Sequence, residues 1–133
     1  MRVASLGICL LGVVTCAASD DFNCSAAPPN TVITTTLGAT PALIRVPSRI
    51  TKAPIILWHG FGPPDSERAL MDALPLDDVP AIKVYLGLPM FGSRELPNGD
   101  LVRRQKQDLG SLVFEPVVMG AAKELPSIVR ALE

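Results

Sequence analysis

Four consecutive large apolar residues, Ile55-Ile56-Leu57-Trp58, run straight into His59-Gly60-Phe61-Gly62-Pro63-Pro64, and this junction limits the architectures open to the chain. An unbroken apolar run of that length, set off by Pro54, is the pattern of a strand in a parallel sheet covered on both faces. The glycines after it let the backbone turn sharply and leave amides unobstructed by side chains. Pro63 and Pro64 have no amide hydrogen, so donors in the turn can come only from Gly60, Phe61 and Gly62, with His59 orienting it. Such amides can hold a negative oxygen. The plainer reading of the same residues is an ordinary strand-ending turn in which His59 is hydrogen-bonded locally.

The flanking pattern predicts one α/β domain over residues 31–133. Thr31 to Leu37 is β-branched, Ala42 to Val46 is a short apolar run between Pro41 and Pro47, and the two read as an N-terminal hairpin. Asp65 can cap a helix that carries Ser66 and Glu67 in its first turn, places Leu70, Met71 and Leu74 near one side, and stops before Pro75. Ile82 to Leu86 is the next strand, which completes a strand-helix-strand unit. Gly87, Pro89, Gly92, Pro97 and Asn98-Gly99 then mark a loop over the end of the sheet, with Met90 and Phe91 as candidates to rim an apolar pocket. From about Val102 to Glu133 the pattern is helical, with Pro116 starting a new segment and Pro126 removing one amide partner, so a break or kink is expected at each.

The N-terminus has the grammar of a removable export signal over residues 1–18: Met1-Arg2, an apolar stretch from Val3 to Val14, then Thr15-Cys16-Ala17-Ala18-Ser19. The expected location is therefore secreted or extracytoplasmic, with residues 19–30 as an exposed leader. The apolar stretch falls short of the roughly 20 residues of a spanning helix, so no stable membrane span is expected. Cys9 and Cys16 lie within the signal, which leaves Cys24 without a partner in the mature chain, and Asn23-Cys24-Ser25 fits the acceptor pattern for N-glycosylation. With one histidine and no paired cysteines there is no metal-ligand set, and no cofactor motif occurs. Net charge is −1, and the cluster Arg103-Arg104-Gln105-Lys106 is short and free of aromatics. It reads as a solvated helix face, and nucleic acid is not an expected partner.

In motif and element order the chain resembles the N-terminal part of the α/β-hydrolase superfamily. Leu57-Trp58-His59-Gly60-Phe61-Gly62 is similar to the end of that family's third strand and the oxyanion loop after it; Leu57-Trp58-His59-Gly60 also resembles palmitoyl-protein thioesterases. Thr31 to Leu37 and Ala42 to Val46 would be its strands one and two, Asp65 to Leu74 its first helix, and Ile82 to Leu86 its strand four. The resemblance implies an incomplete hydrolase-like sheet and an oxyanion site drawn from His59, Gly60, Phe61 and Gly62, with the Phe61 amide as the best-matched donor.

No catalytic residue carries over. Gly-x-Ser-x-Gly is absent, Ser93 and Ser111 sit in no nucleophile elbow, and no later histidine comes after His59. The expectation is a secreted fragment of a serine hydrolase, inactive as it stands, that would act on a small-molecule ester, thioester or amide only if completed by the missing half. The alternative is a non-catalytic secreted binding or interaction module. In the family's strand order Ile55 to Trp58 would lie at an unpaired apolar edge, through which self-association is expected.

Overall fold

A computed structural model describes residues 13–15 and 30–133. The rest of the expected signal and leader, with Asn23 and Cys24, lies outside the described residues. Two strands, Thr31–Leu37 (β2) and Thr40–Val46 (β3), form the expected hairpin. The second begins two residues before Ala42 and takes in Pro41, whose carbonyl accepts from the Gly87 amide at 2.9 Å. Outside β2, Val13–Thr15 (β1) pairs parallel to it, Val13 opposite Val32, within the stretch assigned to the signal.

The remaining strands are Ile55–Trp58 (β4) and Lys83–Leu86 (β5), and the sheet order is β1-β2-β3-β5-β4. β5 is antiparallel to β3 and parallel to β4, so the molecule is α/β with a small mixed sheet. All four residues of β5 are buried, whereas all four of β4 are half-buried. The apolar run 55–58 therefore does not have both faces covered. It is the outer strand, paired among the described residues to β5 alone.

Side-chain alternation gives the sheet two apolar faces. Ile33, Ile44, Val84 and Leu86 form the core of one, with Ile56 and Trp58 packed against it. Leu43 and Tyr85 form the other, where they meet Met71 of the helix Glu67–Ala73 (α1). The cap of α1 is Ser66, not Asp65: Ser66 has extended backbone angles and its hydroxyl accepts from the Ala69 amide at 3.2 Å. Both residues are good caps, and the backbone conformation selects between them.

Tyr85 ties α1 to the sheet. It is fully buried, and its hydroxyl donates to the Leu74 carbonyl at 2.8 Å, just past the helix end. Removing this donor leaves a terminal helix carbonyl unpaired, so Tyr85→Phe should cost about 1–2 kcal/mol. The denaturant midpoint is expected to fall without a change in slope. On the same face Lys83, also buried, donates to the Val79 carbonyl at 2.6 Å, and burial lowers its pKa, with Arg45 acting in the same direction.

The C-terminal segment is helical but divided otherwise than the prolines suggest. Helix α2 (Asp100–Leu109) contains a break at Asp108, where φ is −162° and ψ is 100°. The Asp108 carboxylate accepts from the Ser111 amide at 3.1 Å and so caps the next helical turn; that hydrogen bond lowers its pKa. Gly110–Phe114 is a π-helical turn that leads into α3 (Glu115–Leu132). Pro116 stands in the first turn of α3, so a new helical segment does start there, but without a break: its missing amide falls where the hydrogen-bonding pattern is already shifting from i→i−5 to i→i−4. Helix α3 also runs through Pro126 without interruption.

Helix α3 lies across the carboxyl ends of three strands. Phe114, just before it, meets Phe61 beyond β4. Gly120 abuts Pro89 beyond β5, and Ser127 abuts Gly38 beyond β2. Buried Val117 and Ile128 fix it from below, and fully burying an isoleucine contributes about 2–3 kcal/mol. Among the described residues no helix is long and apolar enough to cross a membrane.

Candidate functional site

The turn after β4 is anchored by His59, which is 3% exposed. Its Nδ1 lies 3.0 Å from the Gly60 carbonyl and its Nε2 lies 3.1 Å from the Leu88 amide nitrogen. A carbonyl can only accept and an amide can only donate, so the ring is the neutral tautomer with hydrogen on Nδ1. Thus His59 is not a donor to a ligand. It orients the turn, as the sequence suggested, and joins it to the loop after β5. Gly92 makes this approach possible: a Cβ there would sit 3.2 Å from His59 Nε2 and 3.1 Å from the Asp65 carbonyl, and its φ is +56°.

Beyond His59, residues Gly60, Phe61 and Gly62 are exposed. Among the described residues none of their three amides donates to a protein acceptor. An unpaired amide is unremarkable where water reaches it. Three in succession at the carboxyl end of a strand form an arrangement able to receive an anion or a polarised carbonyl.

The Phe61 ring stands edge-on to Phe91, with centroids 5.0 Å apart at 88°, and tilts against Phe114 at 4.4 Å and 53°. Three distant segments thereby meet at the turn, and each aromatic pair contributes about 0.5–1.5 kcal/mol beyond its buried area. Next to the rings is a cavity of about 380 Å³, lined by Phe61, Phe91 and Leu101 on its apolar side and by Asp65, Glu95 and Gln105 on its polar side. Gly62 also lines it.

Of the two residues expected to rim a pocket, Phe91 lines this cleft. Met90 does not: it packs half-buried against the cluster of Leu88, Phe91, Leu101, Val113 and Val117, with a positive φ of 67°. Phe114 and the cleft residues Leu101 and Gln105 had no signal in the sequence that set them apart from an amphipathic helix. Asp65 and Glu95 had none either.

A second polar cluster joins the loop after β5 to α3. Arg94 forms two hydrogen bonds to the Glu124 carboxylate, at 2.6 and 2.9 Å, and a third to the Gly87 carbonyl at 3.1 Å. Thr40, fully buried, donates to Glu124 Oε2 at 3.0 Å. The Arg94 hydrogen bonds are the main reason the Glu124 carboxyl is held below its ordinary range; burial opposes them and Thr40 assists. Nearby, Glu67 is buried and its Oε2 has no hydrogen-bond partner. Neither Ser93 nor Ser111 is hydrogen-bonded to His59, whose ring nitrogens are engaged by Gly60 and Leu88, and among the described residues no group of three or more His, Cys, Asp or Glu side chains could hold a metal ion.

No protein family, curated protein or solved structure matches the chain.

Proposed function

We propose that this chain supplies the oxyanion side of an acyl-transfer site in a secreted, α/β-hydrolase-like protein acting on an ester, thioester or amide, and that its own residues are inactive without a nucleophile from elsewhere. The observation that carries this reading is the turn Gly60-Phe61-Gly62, with three unpartnered amides at the carboxyl end of β4 beside a cleft. The sheet order β1-β2-β3-β5-β4, in which β3 is antiparallel to β2 and β5 and β4 is parallel to β5, is compatible with it, since the turn after β4 and the loop after β5 then lie at the same end of the sheet. Removing one oxyanion donor from a working hydrolase costs about 3 kcal/mol of barrier stabilisation, so donors held in place in advance are a substantial part of such a site.

Sequencing the transcript across codon 133 tests the proposal. A downstream Gly-x-Ser-x-Gly and a later histidine are expected; an immediate stop would leave the non-catalytic binding module. The chain itself should show no labelling by a fluorophosphonate.

The outer position of β4 carries a further expectation. Its half-buried apolar residues and open backbone edge favour pairing with another chain. The purified chain should sediment as concentration-dependent oligomers, and a monomer with a cooperative thermal transition would contradict this.

A further inference from the structure

Helix α3 buries one side and leaves a second apolar side bare. Val117 and Ile128 are buried in the core, and Glu124 is held by Arg94. Phe114, Val118, Ala122, Leu125 and Val129 follow one another at intervals of four, four, three and four residues. At about 3.6 residues per turn and 1.5 Å per residue they form one stripe about 22 Å long. All five are exposed, the four large ones by 38–58%, although Phe114 also meets Phe61. Met119 is exposed beside the middle of the stripe. An amphipathic helix ordinarily turns its apolar face to the core and its charge to water, so an additional apolar stripe on the water side marks an interaction surface.

The charges at the two ends of the stripe indicate what covers it. Glu115 lies beside its start and Arg130 beside its end, and both are exposed. Neither takes part in an ion pair or side-chain hydrogen bond among the described residues. They are fifteen residues apart, close to four turns, so they share one flank of the stripe, and Ala122 lies near the midpoint between them. We propose that α3 pairs with α3 of a second copy of this chain, antiparallel, about a two-fold axis at Ala122. Reversing the direction of one helix brings Glu115 to Arg130 of the partner subunit, and the symmetry makes that contact twice. A parallel pair would instead place like charges at the same height, so the charge pattern selects the antiparallel one. The small side chain of Ala122, preceded by Gly120 and Ala121, lets the helix axes approach where they cross. The pairing is independent of the acyl-site reading and uses a surface other than the β4 edge.

Two charge reversals in the full chain test this. Glu115→Arg and Arg130→Glu each turn two attractions into two repulsions, so each alone should weaken dimerisation about tenfold, read by the sedimentation of a fluorescently labelled chain. Mixing the two variants should restore association, because one then offers only cations at the two positions and the other only anions. A chain carrying both reversals should dimerise as the wild type does. Val118→Asp, inside the stripe, should abolish the helix pairing and leave the far-ultraviolet circular dichroism spectrum unchanged, since the side chain it replaces is exposed. Strand pairing through β4 is indifferent to charge on α3, so association that persists unchanged in every variant belongs to that edge and overturns the helix pairing. A mixture that associates no more strongly than either variant alone would overturn it as well, and would assign the stripe to a different protein.

Discussion

Replacing His59 with alanine is expected to destabilise the protein by about 3–4 kcal/mol. The substitution removes a buried ring whose two nitrogens are both engaged, so it loses packing and two hydrogen bonds together. The larger part of the penalty comes from what is left behind. Leu88 is buried, and its amide has the imidazole as its acceptor, so the variant carries a buried donor with no partner, at about 1–3 kcal/mol. The Gly60 carbonyl, in an exposed turn, can turn to water at little cost.

His59→Gln separates the two contributions, because its terminal oxygen can replace Nε2 as the acceptor for Leu88 while the bond to Gly60 is lost. Denaturant unfolding should place the glutamine variant between the wild type and the alanine variant. Amide exchange at Leu88 should be slow in the wild type and in Gln but fast in Ala. If the alanine variant is within about 1 kcal/mol of the wild type, His59 is a bystander in the turn and the clamp does not exist.

The same residue shows how far the amino-acid pattern reaches. That a strand ends at Trp58 and a turn begins at His59 is a consequence of local chemistry, since apolar run and glycine turn are both properties of neighbouring residues. Thr31–Leu37 and Ile55–Trp58 are for that reason strands within the limits expected of them. What His59 points at is not local. Its partner Leu88 is 29 residues away, and only the parallel pairing of β4 with β5 brings the two loops together.

Phe61 and Phe114 are a similar case: an aromatic in a helical stretch looks like core until the helix is seen to cross the rim of the sheet. The choice of Ser66 over Asp65 as cap, and the break at Asp108 instead of at the prolines, were illegible for another reason. In each, several residues offer compatible local chemistry, and the packing of the whole decides among them. Burial of the run 55–58 departs from expectation because apolar composition measures what a strand can bury, not how many neighbours it has.

The Arg94–Glu124 ion pair ties α3 to the loop after β5, and this is where the second large effect is expected. An exposed Arg–Glu pair contributes about 0–1 kcal/mol, but Arg94 and Glu124 are only 24% and 23% exposed and bonded in a fork. Glu124→Ala strands the Arg94 guanidinium and leaves the buried Thr40 hydroxyl without its acceptor, for an expected loss of about 2–4 kcal/mol. Arg94→Ala should cost about as much, and the double variant less than the sum, with a coupling of about 1.5–3 kcal/mol.

The same contacts set the sign of the pH dependence. Because Arg94 and then Thr40 hold the folded-state pKa of Glu124 below its ordinary value of 4.5, the folded state releases this proton more readily than the unfolded chain. The stabilisation is complete above pH 4.5 and is lost as pH falls from there through the depressed folded value. Unfolding free energy measured from neutral to acid pH should therefore decline over that window in the wild type and decline less steeply in Glu124→Gln, which has no such proton to bind. Parallel curves for the two proteins would mean that the fork contributes nothing in solution, and helix α3 would then be held by its apolar packing, in which Val117 and Ile128 are fully buried.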